Sequence, residues 1–268
     1  MFTGPNIVTE GLVLALDAGN KKSYTGSGTT WYDLSGNGYN AISSNNSTYL
    51  EYDSSEKAWN FKGGEDESNG IYIQNLNYVT GTSDKISNMT ISCFLKAKSG
   101  SSGNSEDQRI ILSFDRSAVF RFALGGDAGD TISNPGKPSF MFIHGTGGTQ
   151  ADISFTNSRD LRDNQWHNVV LTFQSNISNG LKLYIDGELE DTISTTFGDI
   201  GEHTDTETPR YGVIGAGSES TTGSTGEPTS PGSIFYGYIS ILTYYYKTLT
   251  PQEILQNYNA LKSRFGLT

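Results

Sequence analysis

"LRDNQWHNVVLTFQSNISNGLKLYIDGELEDTIS", residues 161–194, carries the clearest strand pattern in the chain. Val169, Leu171 and Phe173 recur at every second position, then Leu181, Leu183 and Ile185, and a return strand runs through Leu189 and Ile193. A period of two places each set on one face of a β-strand. Asp186-Gly187 between the second set and the return strand reads as a short hairpin, because both residues tolerate positive φ. Antiparallel strands with one apolar face need a second sheet to cover them.

Working outward, the same alternation returns. "MTISCFLKAKSG" (89–100) directs Ile91, Cys93 and Leu95 to one side. "GLVLALDAGN" (11–20), "KAWNFKGG" (57–64) and "GIYIQNLNYV" (70–79) are further strands. "RIILSFDRSAVFRFALGG" (109–126) reads as a hairpin turning near residues 115–117, and "SFMFIHG" (139–145) with "QADISF" (150–155) as an adjacent pair. "EYDSSE" (51–56) reads as a polar loop, and residues 99–107 and 218–233 as surface loops.

The C-terminal stretch combines a long strand, "FYGYISILTYYY" (235–246), with a short helix over 251–265. Thr250 is placed to cap that helix, Pro251 fits its first position and Glu253 completes a capping box. Leu249 and Ile254 are spaced for a hydrophobic staple, and Ile254, Tyr258 and Leu261 form one apolar face, to pack on the sandwich or to dock a partner or a neighbouring subunit. In the strand, a core face of Phe235, Gly237, Ile239 and Ile241 would turn Tyr236, Tyr238 and Tyr244 outward or beneath the helix. Such tyrosines can stack on sugars, anchor an interface, or simply cover the sheet.

Composition agrees with many short strands joined by turns. The 268 residues include 32 Gly, 15 Tyr and 13 Phe, with only 18% charged residues and a net charge of -11. No Lys/Arg stripe is available to neutralise phosphates, which argues against a nucleic-acid partner. No apolar run approaches the ~20 residues of a membrane-spanning helix, and the N-terminus lacks a secretory pattern. Cys93 has no second cysteine to pair with and reads as a buried strand residue. The expectation is a single all-β domain over 1–268: two antiparallel sheets in a jelly-roll sandwich, with a short C-terminal helix.

"WYDLSGNGYNA" (31–41) sets Asp33, Ser35 and Asn37 at alternate positions before Gly38, like the first half of a calcium loop. The twelfth position is Ser44 rather than glutamate, so a self-contained calcium hand fails. Either the loop is a turn satisfied by its own side chains, or Asp33 and Asn37 share a calcium site with Asp17. Glu51, Asp53 and Glu56 echo the E-x-D-x-x-E set of laminarinase-like hydrolases, but without its apolar anchors. His144, His167 and His203 share no metal-ligand spacing, and no nucleophile elbow or dinucleotide fingerprint is present.

Three segments carry a resemblance to the concanavalin A-like, laminin-G-like jelly-roll domains. They are "GLVLALDAGN…WYDLSGNGYNA", "LRDNQWHNVVLTFQ…LKLYIDGEL" and "YGYISILTYYYKTLTPQEILQNYNA". The wording of "LVLALDAGN", "WYDLSGNG" and "QNYNALKSRFG" is similar to the versions found in tailed-phage virion proteins. That resemblance implies a non-enzymatic virion surface protein, either a capsid decoration or a tail or fibre module, assembled in the host cytoplasm. It implies lectin-like recognition of host-surface glycans or proteins, contacts with other virion proteins, and homo-oligomerisation. Calcium binding would fall on Asp17, Asp33 and Asn37, and ligand or interface contacts on Tyr236, Tyr238 and Tyr244. A purely structural oligomerising or capsid-anchoring role, and a laminarinase-type hydrolase, are the alternatives.

Overall fold

The computed structural model describes residues 6–43, 48–63, 70–79, 84–99, 109–115, 119–125, 134–201, 209–217 and 234–268. In chain order the first strands are β1 (Leu12–Asp17), β2 (Thr30–Trp31), β3 (Ala41–Ser43), β4 (Leu50–Asp53), β5 (Ala58–Lys62), β6 (Ile71–Val79), β7 (Asn88–Ala97) and β8 (Arg109–Ser113). They are followed by β9 (Phe120–Leu124), β10 (Pro138–His144), β11 (Thr149–Ser154), β12 (His167–Gln174), β13 (Leu181–Ile185), β14 (Glu188–Ile193), β15 (Pro209–Ile214) and β16 (Tyr236–Tyr245). One α-helix, α1 (Pro251–Leu261), then runs into a 3-10 turn, Lys262–Phe265.

Two antiparallel sheets form the sandwich. The first has the order β14-β13-β12-β7-β16-β5-β4, with β1 also pairing β16; the second runs β11-β10-β9-β8-β15-β6-β3-β2. Neighbours in space lie far apart in sequence: β7 pairs with both β12 and β16, and β15 joins β6 to β8. The main core fills the space between the sheets, where Met89, Ile91, Cys93, Leu95, Val169, Leu171 and Phe173 meet Phe114, Phe120, Phe122, Phe140 and Phe142. The alternation read in residues 161–194 is the inner face of β12 and β13, and Asp186 and Gly187 have φ of 55° and 83°, as the short turn requires.

Two segments depart from the expected pattern. Leu50–Asp53 is a strand rather than a polar loop: Leu50 and Tyr52 pack on the core while Glu51 and Asp53 face outward, and β4 pairs with β5. In β16 the register against β7 shifts between Ile239 and Ile241, leaving Ser240 as an extra residue whose hydroxyl donates to the Lys57 carbonyl. A one-residue bulge reverses the parity of everything beyond it. Ile239 points into the core, whereas Ile241 points out and packs with Phe94 and Tyr258 of α1. Leu242 and Tyr244 take the core positions instead.

The helix forms where its signals place it. Thr250 and Glu253 make both reciprocal bonds of a capping box, and Pro251 occupies the first turn. The expected span 251–265 divides into α1 and the 3-10 turn, which ends at Gly266 with φ 70°. The helix lies across the outer face of the first sheet. Leu249 and Ile254 pack on Val170, Tyr184 and Tyr245; Tyr258 packs on Phe94 and Ile241. Burial of side chains this large contributes about 1.5–3 kcal/mol each. Among the described residues no helix is long and apolar enough to cross a membrane.

Candidate functional site

The helix leaves part of that outer face open, and the strands on either side of the β16 bulge decide what is displayed there. Tyr236 and Tyr238 alternate outward, paired across β5 with Lys62 and Asn60. On the other side Tyr238 pairs with Lys96 of β7, and the backbone N–H of Lys98 donates to the Tyr236 carbonyl. Between the tyrosines Gly237 sits at φ 143°, where a Cβ would collide with the Lys96 carbonyl. This close approach seats both rings directly beside the β7 lysines. Trp166, just before β12, lies 6.4 Å from Tyr238 between ring centroids and 4.8 Å from Phe265, the last residue of the 3-10 turn. Phe265 in turn stacks on Phe94 at 4.5 Å and closes the helix-covered half.

The result is a row of half-buried rings, Trp166, Tyr238 and Tyr236, set among charged and amide groups. The Lys96 ammonium lies 4.8 Å from the Tyr238 ring centre and 5.6 Å from that of Trp166, and pairs with Glu56 at 2.5 Å. The other Glu56 oxygen accepts the Trp166 indole N–H at 3.2 Å, which fixes that ring. Lys62 pairs with Glu51 at 3.0 Å. The Lys98 ammonium lies 4.7 Å from the Tyr238 ring and 5.3 Å from Tyr236, and donates to Asn60 Oδ1 at 2.9 Å. Burial pushes the Tyr238 phenol pKa up, and the charges of Asp53, Glu56 and Glu51 add to the rise, so the phenol is neutral at ordinary pH. A neutral ring face with fixed polar groups around it can hold an amphipathic ring by stacking and directed hydrogen bonds.

Of the residues expected as ligand contacts, Tyr236 and Tyr238 are together on this face and Tyr244 is not. Tyr244 is 0% exposed, between the sheets, with its hydroxyl bonded to that of Tyr78. The bulge at Ser240 is the reason. Sequence reading missed Trp166, Lys96, Lys98 and Asn60 as members of the face. The alternation in residues 89–100 does put Lys96 and Lys98 opposite the core set, but only the β7–β16–β5 pairing shows what they meet.

The Asp33 loop is tied to itself and to β1. Asp33 Oδ1 accepts the N–H groups of Ala15 and Ser35, while Oδ2 accepts those of Gly38 and Tyr39 and the Ser35 hydroxyl. Asn37 presents its amide N–H to the carbonyls of Leu12 and Val13. Asp17 is held bidentately by Arg264, at 2.7 and 2.9 Å. These are the bonds of a closed turn: a calcium at Asp33 would have to displace five donors, and one at Asp17 a guanidinium. Trp31 is fully buried and anchors the loop. Among the described residues no three His, Cys, Asp or Glu side chains stand together as metal ligands.

Each carboxylate of residues 51–56 also has a structural partner. Glu51 and Glu56 pair with lysines, and Asp53 accepts the Ser55 hydroxyl and the N–H groups of Ser55 and Glu56. The Ser55 hydroxyl bond holds the Asp53 pKa down, so this group is no proton donor. His144 Nδ1 accepts the Gly198 N–H, His167 lies between Asp186 (2.8 Å) and Asp163 (3.2 Å), and His203 lies outside the described residues, as does the 218–233 stretch. Burial drives the Cys93 thiol pKa far up, which keeps it protonated and unreactive.

Solved structures share this architecture. The binding domain of Paraclostridial Mosquitocidal Protein 1 is 15% identical, aligned over 97% of this chain and 56% of that one, with a TM-score of 0.59. The botulinum neurotoxin serotype D ligand binding domain, solved with N-acetylneuraminic acid, is 14% identical over 94% and 51%, with a TM-score of 0.58. The sialidase of Trypanosoma rangeli, solved with sialic acid, is 13% identical over 95% and 33%, with a TM-score of 0.50. The chain thus spans about half the length of the two binding domains or less of the sialidase, and at such identity the likeness is one of fold. No curated protein matches it in sequence. A family description does: residues 74–255, more than half of the chain, match the laminin G type of jelly roll, and the protein belongs to the concanavalin A-like lectin/glucanases superfamily.

Proposed function

We propose that this protein is a non-catalytic recognition module of a phage virion surface, which holds a glycan against the Trp166–Tyr238–Tyr236 face. The observation that carries the reading is the open half of the first sheet. Three rings lie there side by side with Asn60, Lys96 and Lys62 around them, at the place where the helix stops. Rings of this kind stack on the apolar face of a sugar, and the amide and ammonium groups bond its hydroxyls. Neighbouring folds solved with N-acetylneuraminic acid or sialic acid give the sugar reading added weight. The virion assignment rests on the phage-like wording of residues 12–20, 31–38 and 256–266.

A non-catalytic role is favoured because the three carboxylates nearest the face are engaged in ion pairs or turn bonds. Hydrolysis would need one carboxyl to hold a proton beside the glycosidic oxygen, and Asp53 is biased the other way. The test is a glycan array with the full chain and with Trp166→Ala. Binding of one glycan class that the variant loses supports the reading. Cleavage of any bound glycan, or equal binding by the variant, overturns it. Antibody labelling of intact particles tests the virion assignment separately.

A second reading, assembly with copies of itself or a capsid anchor, is favoured by one feature. Leu189 of β14 and Leu255 of α1 are 56% and 44% exposed and flank the same groove. Native mass measurement decides it, and a strict monomer at high concentration counts against self-assembly.

A further inference from the structure

Three lysines rise from the open face, and they are not equivalent. Lys62 is paired with Glu51 at 3.0 Å and Lys96 with Glu56 at 2.5 Å. Lys98 has no carboxylate within ion-pair distance among the described residues. Its ammonium donates to the neutral amide oxygen of Asn60 at 2.9 Å and stands over the rings of both tyrosines, 4.7 Å from Tyr238 and 5.3 Å from Tyr236. An ammonium has three donors, so among the described residues two are left for a ligand. Lys98 is also half-buried, and burial together with the charges of Lys62 and Lys96 lowers its pKa. Its charge is therefore held at a cost that an arriving anion would offset.

We propose that the site reads an acidic sugar, with the carboxylate of a glycan residue paired to the Lys98 ammonium while the sugar ring lies on Tyr238 and Tyr236. The proposal rests on the glycan-recognition reading and names the ligand's chemical class. A polyanion is disfavoured by the same geometry. Among the described residues Lys98 is the one lysine of the face without a carboxylate partner, and Glu51, Asp53 and Glu56 border it, close enough for Glu51 and Asp53 to act on Lys98 through space. A chain carrying many sulfates or phosphates would meet those carboxylates, and the chain as a whole carries a net charge of -11. A single carboxylate on a neutral sugar scaffold needs only one cation. Charge-assisted hydrogen bonds of this kind are shorter and stronger than neutral ones, and they carry discrimination because the acid's loss leaves the ammonium unmatched.

The experiment compares glycans that differ only in the acid. Titration calorimetry of the full chain would use a lactose-based trisaccharide ending in N-acetylneuraminic acid, its carboxyl methyl ester, a glucuronic-acid-terminated analogue, a sulfated lactose and lactose itself. The acidic trisaccharide is expected to bind at least about tenfold more tightly than its methyl ester, with the preference shrinking as salt rises. Lys98→Gln should abolish that preference, weakening the acidic ligand far more than the ester. Its melting temperature reports that the sheet is intact, and Lys98→Arg should restore the preference at least in part. Equal affinity for acid and ester, an undiminished preference in Lys98→Gln, or a preference for sulfate over carboxylate would overturn the assignment while leaving glycan recognition standing. Binding to none of the sugars would overturn both.

Discussion

The two halves of β16 carry the same kind of residue to different ends. Before the bulge, Tyr236 and Tyr238 lie on the outer face in partial contact with solvent; after it, Tyr244 is sealed between the sheets and Tyr245 lies beneath α1, its hydroxyl bonded to the Val8 carbonyl and the Asn257 amide. Burial dominates in the second half, where it raises the Tyr244 phenol pKa strongly and carries that of Tyr245 to about 12. In the first half the rings are instead bordered by ammonium groups. Tyrosine content therefore does not make a binding face. Strand parity and the reach of the helix decide which rings are structure and which remain available.

The comparison breaks most severely if the parity set at the bulge is shifted. Inserting one residue after Ser240 shifts the strand beyond it by one position and would turn Leu242 and Tyr244 out of the core. The expected loss is on the order of 5 kcal/mol or more, since several core contacts go together. Thermal unfolding and near-UV circular dichroism check it, and a wild-type melting curve would mean that parity is not set there. Tyr258→Ala probes the covered half more gently. It removes the ring that packs on Phe94 and Ile241 and should cost about 3 kcal/mol in urea unfolding. Glycan binding should be retained, because Phe265 and Trp166 lie beyond it toward the open half.

How much of this was legible follows from the type of signal. β12, β13 and the helix were readable because each is specified within a few residues: period-two alternation, Asp186-Gly187, and the Thr250/Glu253 cap. β15 was not. It is short, and Gly212 interrupts it where a side chain would strike Phe114 and Ile73. β4 shows two of its four residues as acids because its outer face is solvent-facing. The bulge itself has no local signature: Ser240 fits a regular strand as well as an irregular one. The candidate site was half legible, since Tyr236 and Tyr238 stand out by type. Their partners Lys96 and Asn60 are brought in by pairings spanning well over a hundred residues, which no local pattern encodes.

A pH series separates the halves again. Burial of the His167 ring opposes its charge, but the hydrogen bonds it donates to Asp186 and Asp163 and the charges of those carboxylates outweigh this and raise its pKa. Asp186 belongs to the hairpin next to Tyr258. A raised native pKa means that the charged form stabilises the fold. This contribution is fully present below the unfolded value of about 6.5 and is lost as pH rises through the higher native value. Stability of the wild type should therefore decline across that window, and the decline should be absent in His167→Gln. Asp163 is half exposed, so salt should shrink the effect.

Tyr238→Ala should be the mildest change to the fold and the sharpest to recognition. The ring has two ammonium neighbours, at 4.7 and 4.8 Å, and lies in no core cluster. Loss of two partly exposed cation–π contacts is worth about 1–2 kcal/mol at most, and Glu56 still neutralises Lys96 once the ring is gone. The melting temperature should thus move less than in Tyr258→Ala, while glycan affinity falls by about tenfold or more, because the central ring of the row is missing. If instead Tyr238→Ala unfolds the chain as readily as Tyr258→Ala, the open half is core in all but exposure, and the distinction between the two halves of β16 fails. If stability and affinity are both unchanged, the ring is cover for the sheet and the glycan face lies elsewhere. Measured on the same preparation, the two readouts place each tyrosine of β16 on one side of that line or the other.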